Sequence, residues 1–475
     1  MPSEEPSQIS PIAGDDGGRL HFRGGVWTCA VPLLTFLILA VLLVVAGAPK
    51  EEGLILAAMA GLSLGMVFVR DFAHYSERIF TLMANRTAAV AVICWLWAGA
   101  FAGVLGASGL VEAIVWIGWK LGLTGSLFTM LVFLLAALFA VSTGTGMGTI
   151  VGFTPIMYPA GIVLGGDAAV LMGAILSGAA FGDNLAPISD TTIVSATTQE
   201  TDVAGVVRSR LKYCLLAGGL AAAGFLVFGG GRATIDPAVA ERLLAETADP
   251  KGLPMLIPAV LVFAVALRGY HFLAALTVGI VSAAILGPAL GVFTVADLFH
   301  IGEGREIGGS LANGAMGLVP VAVLTLLLVT AIGLMAEGGF LDATMGWLDR
   351  TLARTARGAE LAIVALVSFA NLCVSVNTVA MITAGPLVNR LRKRHGIHPY
   401  RAANLMDTVS CTFPYMLPYN AVIPAAFAIQ RRVHDQYDFA PVLGWSDLAP
   451  WVLYAILLFP LMLLAAITGL GRREG

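Results

Sequence analysis

Residues 177–192 read Ser-Gly-Ala-Ala-Phe-Gly-Asp-Asn-Leu-Ala-Pro-Ile-Ser-Asp-Thr-Thr and bring two carboxylates, an amide and four hydroxyls to the end of an apolar run. Asp183 and Asp190 flank Pro187. A charged Asp at the centre of a membrane span costs ~2.5–3.5 kcal/mol even on the lenient insertion scale, so such acids face a bundle interior and are functional by default. Proline lacks the backbone donor that would continue the helix, which leaves carbonyl oxygens free. Carboxylates, hydroxyls and freed carbonyls are the hard oxygen ligands that a small cation prefers. Asp183, Asn184, Ser189, Asp190, Thr191 and Thr192 are therefore the first candidate ligands. The competing reading, an exposed loop with solvated acids, is weaker because the preceding run is so apolar.

A second stretch repeats these features. Residues 406–420 carry Asp407, Thr408 and Asn420 together with Pro414 and Pro418. Asn377, at a polar break in the preceding apolar stretch, joins the candidates, whereas Asn371 reads as an interhelical packing amide. Gly144-Thr145-Gly146-Met147-Gly148 looks superficially like a nucleotide loop, but it lacks the G-x-G-x-x-G spacing and the strand that such a loop needs. It reads better as a helix break, with Thr143 and Thr145 near a substrate path. Glu112 and Asp342, near Trp116, Trp119 and Trp347, read as surface charges at an aromatic belt, and Tyr270-His271 as an interfacial turn.

The elements that position these residues must be membrane helices. Charged residues make up 12% of the 475, about half the soluble level, while 58% are hydrophobic, so a water-soluble surface cannot be built. Disorder is excluded on the same grounds. A net charge of −3 argues against a nucleic-acid partner. The five cysteines show no C-x-x-C spacing, and His395 and His398 lie in a basic loop, so neither a disulfide framework nor a zinc site is indicated. No cofactor is expected beyond transported ions.

The chain divides into a polar tail (1–26), a first membrane repeat (27–228), a polar linker (229–252) and a second membrane repeat (253–475). The run at 27–47 is too long for a signal-peptide core and reads as a retained first span. Several apolar stretches fall short of the ~20 residues that cross a bilayer. The expectation is an all-α polytopic bundle of about 11–13 transmembrane or re-entrant elements with broken helices; 340–353 reads as an amphipathic helix.

Three features recur in the same order in both halves. Ser-Gly-Leu-Val-Glu-Ala at 108–113 matches Gly-Gly-Phe-Leu-Asp-Ala at 338–343, the break at 142–145 has a counterpart at 375–378, and Asp183 has one in Asp407. Basic residues alternate between equivalent loops. Arg70, Arg78 and Arg86 oppose the single Arg305 of 299–316, and Arg390, Arg392, Lys393, Arg394 and Arg401 oppose 163–167, which carries no Lys or Arg. Cytoplasmic loops collect Lys and Arg, so this alternation predicts inverted-topology repeats. It places 70–86, 350–357, 390–401 and the N-terminus in the cytoplasm. Arg208 and Arg210, just after the first motif, read as further cytoplasmic cations.

The segments quoted above resemble the signature of the NhaC-type sodium/proton antiporters, members of the ion transporter superfamily. The resemblance rests on Ser177-Gly178, Phe181-Gly182-Asp183-Asn184 and Pro187-Ile188-Ser189-Asp190-Thr191-Thr192. The 142–149 break and Asp407-Thr408 with Pro418-Tyr419-Asn420 extend it over most of 87–430. Met406 stands where the family usually has an acid, and Tyr419 where it usually has Trp. The resemblance implies cation-coupled exchange in a bacterial inner membrane, with a Na+ site on Asp183, Asp190 and Asp407. Some relatives exchange organic acids or amino acids, and a homodimer is compatible with the resemblance alone.

Three functions follow from these residues. In a sodium/proton antiporter a carboxylate holds either Na+ or a proton, and Asp183 and Asp190 are placed to titrate as a coupled pair. A relative carrying a small organic solute on the same ions would need a fixed cation near the site. An intramembrane aspartyl protease is rejected: residue 180 is Ala where its motif needs Gly, and Tyr437-Asp438 falls in a polar loop.

Overall fold

The computed structural model describes residues 20–45, 51–84, 86–187, 189–231, 249–268, 270, 272–302, 305–317, 319–340, 343, 355–373 and 377–472. Among the described residues the one sheet is a small hairpin that pairs His300–Ile301 with Ile307–Gly308. All other regular structure is helix, as the composition requires. After a short 3-10 turn at Val26–Ala30, α1 (Val31–Val45) packs on α2 (Glu51–Phe68). The stretch 70–86, expected as a basic loop, instead folds as α3 (Phe72–Met83), capped by Asp71. Tyr75, Ile79 and Leu82 recur at helical spacing and turn one face inward. Arg78 is no free loop cation either, since its Nε lies 2.8 Å from Glu337 Oε2.

The first half continues with α4 (Arg86–Gly106), α5 (Leu110–Lys120), α6 (Gly125–Thr143), α7 (Gly146–Val163), α8 (Ala168–Leu185), α9 (Asp190–Thr198) and α10 (Val203–Phe228). The second half holds α11 (Leu256–Leu267), α12 (Phe272–Ala289), α13 (Ser310–Met316), α14 (Val319–Glu337), α15 (Ala356–Cys373), α16 (Asn377–His395), α17 (Pro399–Ser410), α18 (Phe413–Met416), α19 (Val422–Gln436) and α20 (Leu453–Thr468). By length and apolarity, α7, the run Ala168–Thr198 and α10 can each cross a bilayer. Two bent pairs can add spans: Gly99–Gly106 with Leu110–Lys120 at 64°, and Trp445–Trp451 with α20 at 57°. The chain is a multi-pass, all-α membrane protein. The expected amphipathic helix at 340–353, with Asp342, lies almost wholly outside the described residues, as do His271 and 232–248 of the linker.

In the first half α6, α7, α8 and α9 follow one another, and in the second α15, α16, α17 and α18. The two series interlock. α9 packs on α16 and α17, and α18 packs on α8. Close approach of α6 and α8 explains a sequence detail. Gly178 and Gly182 are four residues apart, and a Cβ on either would sit 2.4 Å from Phe133 O or 2.2 Å from Ala137 O. Such small-xxx-small faces let membrane helices touch backbone to backbone. Asp183, one residue on, is carried into the interior by that contact.

Candidate functional site

α8 begins at Asp167, whose carboxylate caps the amides of Ala169 and Val170, and it runs unbroken to Leu185. Asp183 therefore lies in its last turn, buried at 7% exposure, rather than in the break where the sequence put it. The break is Ala186 to Ser189, and Pro187 cannot donate to prolong the helix. Asp190 opens α9 and is solvent-accessible, although Ser189 and Thr191 on either side are fully buried. One acid is thus closed off and the other open, a few residues apart.

Hydroxyls join them. Ser189 Oγ donates to Asp183 Oδ1 at 2.9 Å and lies 3.0 Å from Thr191 Oγ1. The Thr191 amide donates to Asp190 Oδ1 at 2.9 Å. From the second half, Thr378 Oγ1 reaches Asp190 Oδ2 at 2.5 Å, and the Thr378 amide donates to Asn377 Oδ1 at 3.0 Å. Asp190 therefore sits at the start of α9 and beside the start of α16, where helix dipoles and unpaired amides favour negative charge. A reciprocal contact closes the other side: Tyr415 of α18 places its hydroxyl where a Cβ on Gly146 would lie, at 1.7 Å, so the first-half break accepts the second-half tip only because residue 146 is glycine.

Arg210 corrects the sequence reading most. Expected as a cytoplasmic cation, it is fully buried on α10 and forms an ion pair with Asp407, which is equally buried. Its Nη2 also donates to Thr192 Oγ1 at 2.5 Å, and Thr192 lies 2.9 Å from Ala186 O across the break. Ser195 Oγ donates to Asp407 Oδ2 at 3.1 Å and Cys411 Sγ to Oδ1 at 3.3 Å. Among the described residues no three acids, histidines or cysteines converge as a metal-binding group, and Asp407 turns its charge to Arg210.

Other expected ligands fall elsewhere. Asn184 points away from the acids, with Nδ2 donating to Tyr454 Oη at 3.0 Å and to Cys214 Sγ at 3.3 Å. Thr408 donates to Asn404 Oδ1 at 2.8 Å, within its own helix. Thr145 caps α7 by accepting from the Gly148 amide at 3.2 Å, and the Thr143 side chain lies outside the described residues. Asn420 is buried, its Nδ2 without a partner among the described residues. Asn371 holds Ser410 Oγ at 3.0 Å, the packing role expected of it. Glu112, expected at the surface, is half-buried and accepts from Tyr437 Oη at 3.2 Å. Arg401, counted with the basic loop, is buried against Glu360 at 3.0 Å.

The first-half part of this network lies within a recognisable sequence pattern. Residues 20–230 match the Na+/H+ antiporter family. The match takes in both motif acids and Arg210. The resemblance to the NhaC-type antiporters stands. The malate-2H+/Na+-lactate antiporter of Bacillus subtilis is 25% identical over 318 residues, 64% of this chain and 67% of its own. The arginine/ornithine antiporter ArcD of Halobacterium salinarum is 28% identical over 292 residues, 59% of this chain and 57% of its own. The Na+/H+ antiporter NhaC of Alkalihalophilus pseudofirmus is 23% identical over 337 residues, 68% of this chain and 71% of its own. Among solved structures, the YdaH transporter of Alcanivorax borkumensis is similar with a TM-score of 0.42 at 16% identity, over 85% of this chain and 90% of that one. The chain is a secondary transporter of the antiport type.

Sequence reasoning missed Arg210, Ser195, Thr378, Cys411 and Tyr415. For Arg210 a signal existed. Val206, Arg210, Tyr213, Cys214, Ala217 and Ala221 are the buried positions of α10, at helical spacing, while Arg208 and Lys212 fall off that face. For the other four no local pattern marks them, because tertiary contact alone brings them to the acids.

Proposed function

We propose that this antiporter exchanges Na+ for H+ across a bacterial inner membrane through Asp183 and Asp190. The observation that carries this reading is the linked pair of one buried and one accessible carboxylate, joined by Ser189 and Thr191 at about hydrogen-bond length. A cation entering from the side of Asp190 meets carboxylate and hydroxyl oxygens, the donors a hard ion prefers. Protons and Na+ compete for the same oxygens, and either neutralises the acids so that the site can close. Asp407 takes no part in that competition while Arg210 holds it. The two halves act as inverted repeats around the site, with the N-terminus in the cytoplasm; the interlocked tips of α9 and α18 support this arrangement.

A second reading has one observation in its favour. Arg210 is the fixed cation that an organic-acid exchanger needs, and two relatives carry organic solutes by name. Its pairing with Asp407 weighs against it, because a carboxylate substrate would have to displace that partner. Counterflow in proteoliposomes separates the two. Na+ countertransport driven by a pH gradient, with no uptake of labelled malate, lactate or arginine, is the expected result. Uptake of any of these solutes, with no Na+-coupled proton movement, overturns the sodium/proton reading.

A further inference from the structure

We propose that the cleft between α10 and the start of α17 is a binding site for the headgroup of an anionic phospholipid. The cleft is a cavity of about 320 Å³ lined by Arg208, Lys212, His398, Tyr400, Ser209 and Asn404. Arg208 and Lys212 are exposed and four residues apart on α10, so they project from one face of that helix. Nothing in the exchange site uses them, because Arg210 between them turns to the opposite, buried side.

The apolar surface continuing from the cleft shows that the occupant is a lipid. Leu211 and Leu215 line the cleft itself and are 40% and 53% exposed. Beyond them Leu216, Leu220, Leu226, Val227 and Phe228 are also exposed along α10. From Lys212 to Phe228 the helix rises roughly 24 Å at 1.5 Å per residue. That approaches the ~30 Å hydrocarbon thickness of a bilayer. The two cations therefore stand at one end of a lipid-facing apolar strip about as long as the bilayer interior is thick, at headgroup level. A phosphodiester in the cleft meets both cations while its acyl chains lie along the leucines, so one molecule fits the charged cleft and the apolar strip together. Basic pockets between membrane helices hold anionic headgroups by this combination.

The site also touches the exchange machinery. Ser209 Oγ donates to Tyr400 O at 3.2 Å and Asn404 Nδ2 to Ser209 O at 3.4 Å, so the cleft floor is the seam joining α10 to α17. Those two helices carry Arg210 and Asp407. A headgroup in the cleft clamps the seam that aligns this pair.

The test is a titration of detergent-purified full-length protein with phosphatidylglycerol, phosphatidylcholine or inorganic phosphate, read as bound lipid by native mass spectrometry and as a thermal shift. Phosphatidylglycerol is expected to bind and raise the unfolding temperature; the other two are not. R208Q is expected to weaken phosphatidylglycerol binding about fivefold and R208Q/K212Q about 25-fold. The charge-preserving R208K/K212R binds like the wild type, which separates loss of charge from misfolding. Equal binding by R208Q/K212Q and wild type overturns the proposal. So does equal binding of phosphatidylcholine, and so does a thermal shift of the same size with inorganic phosphate alone, which makes the cleft a free-anion site.

Discussion

Replacing Arg210 with glutamine leaves Asp407 without its ionic partner in a place where neither side chain meets solvent. Breaking a buried pair from one side costs about 3–5 kcal/mol, because the remaining charge stays desolvated. Ser195 and Cys411 still donate to Asp407, which places the expected loss near 3 kcal/mol. Thr192 loses its guanidinium contact as well, and with it a tie across the Pro187 break. About two powers of ten in the folded-to-unfolded ratio should disappear. Arg210→Gln/Asp407→Asn removes both charges and keeps hydrogen-bonding groups at both positions. It should recover most of the loss, since a buried pair contributes little net stability over a neutral replacement. Denaturation of the purified single and double variants gives the coupling energy, expected at ~2 kcal/mol or more for groups in direct contact. Additive single-variant effects, with a coupling below about 0.5 kcal/mol, would show that the two side chains do not pair and would refute the buried latch.

Gly146→Ala should destabilise by about 1–3 kcal/mol through overpacking against the Tyr415 hydroxyl. Adding Tyr415→Phe should restore part of that in thermal unfolding, and no restoration would mean that the tip does not lie there. Glu200, in the loop between α9 and α10, has its carboxyl held below the usual glutamate range by Lys393, then by Asn389. A depressed value contributes stability above pH 4.5 that is lost as pH falls through it. Glu200→Gln should therefore lower stability slightly at neutral pH and flatten the profile below pH 4.5, where the wild type has already lost that contribution. Single cysteines in 70–86 and 390–401 should label from the cytoplasm, and labelling of 390–401 from outside would overturn the inverted-repeat scheme.

Much of the architecture was legible because lipid leaves few options. An apolar composition forces helices, and Pro187, Gly144 and Pro414 mark where they break or turn. The pair of motif acids was legible for the same reason, since a carboxylate in an apolar run needs a purpose. Depth and direction were not. Asp183 and Asn184 are neighbours in the sequence, yet a helix turns successive residues about 100° apart. One therefore meets Ser189 and the other meets Tyr454. Arg210 escapes a sequence reading because the positive-inside rule counts cations without asking which face of the helix they occupy. Its neighbours Arg208 and Lys212 are exposed, and the buried stripe through Val206 and Tyr213 shows why Arg210 is not. Arg78 reads as a loop cation in the sequence because its partner Glu337 is 259 residues away, a pairing only the folded chain reveals.

The most direct test of exchange at Asp183 and Asp190 is Na+-driven proton movement in proteoliposomes of known orientation, comparing wild type with Asp183→Asn and Asp190→Asn. Asparagine keeps the size and hydrogen bonding of either position but cannot release a proton. Both variants should insert and purify normally yet show no Na+-driven pH change at any pH where the wild type works. Full exchange with an unchanged pH dependence in both variants would contradict the account and move the coupling to Asp407.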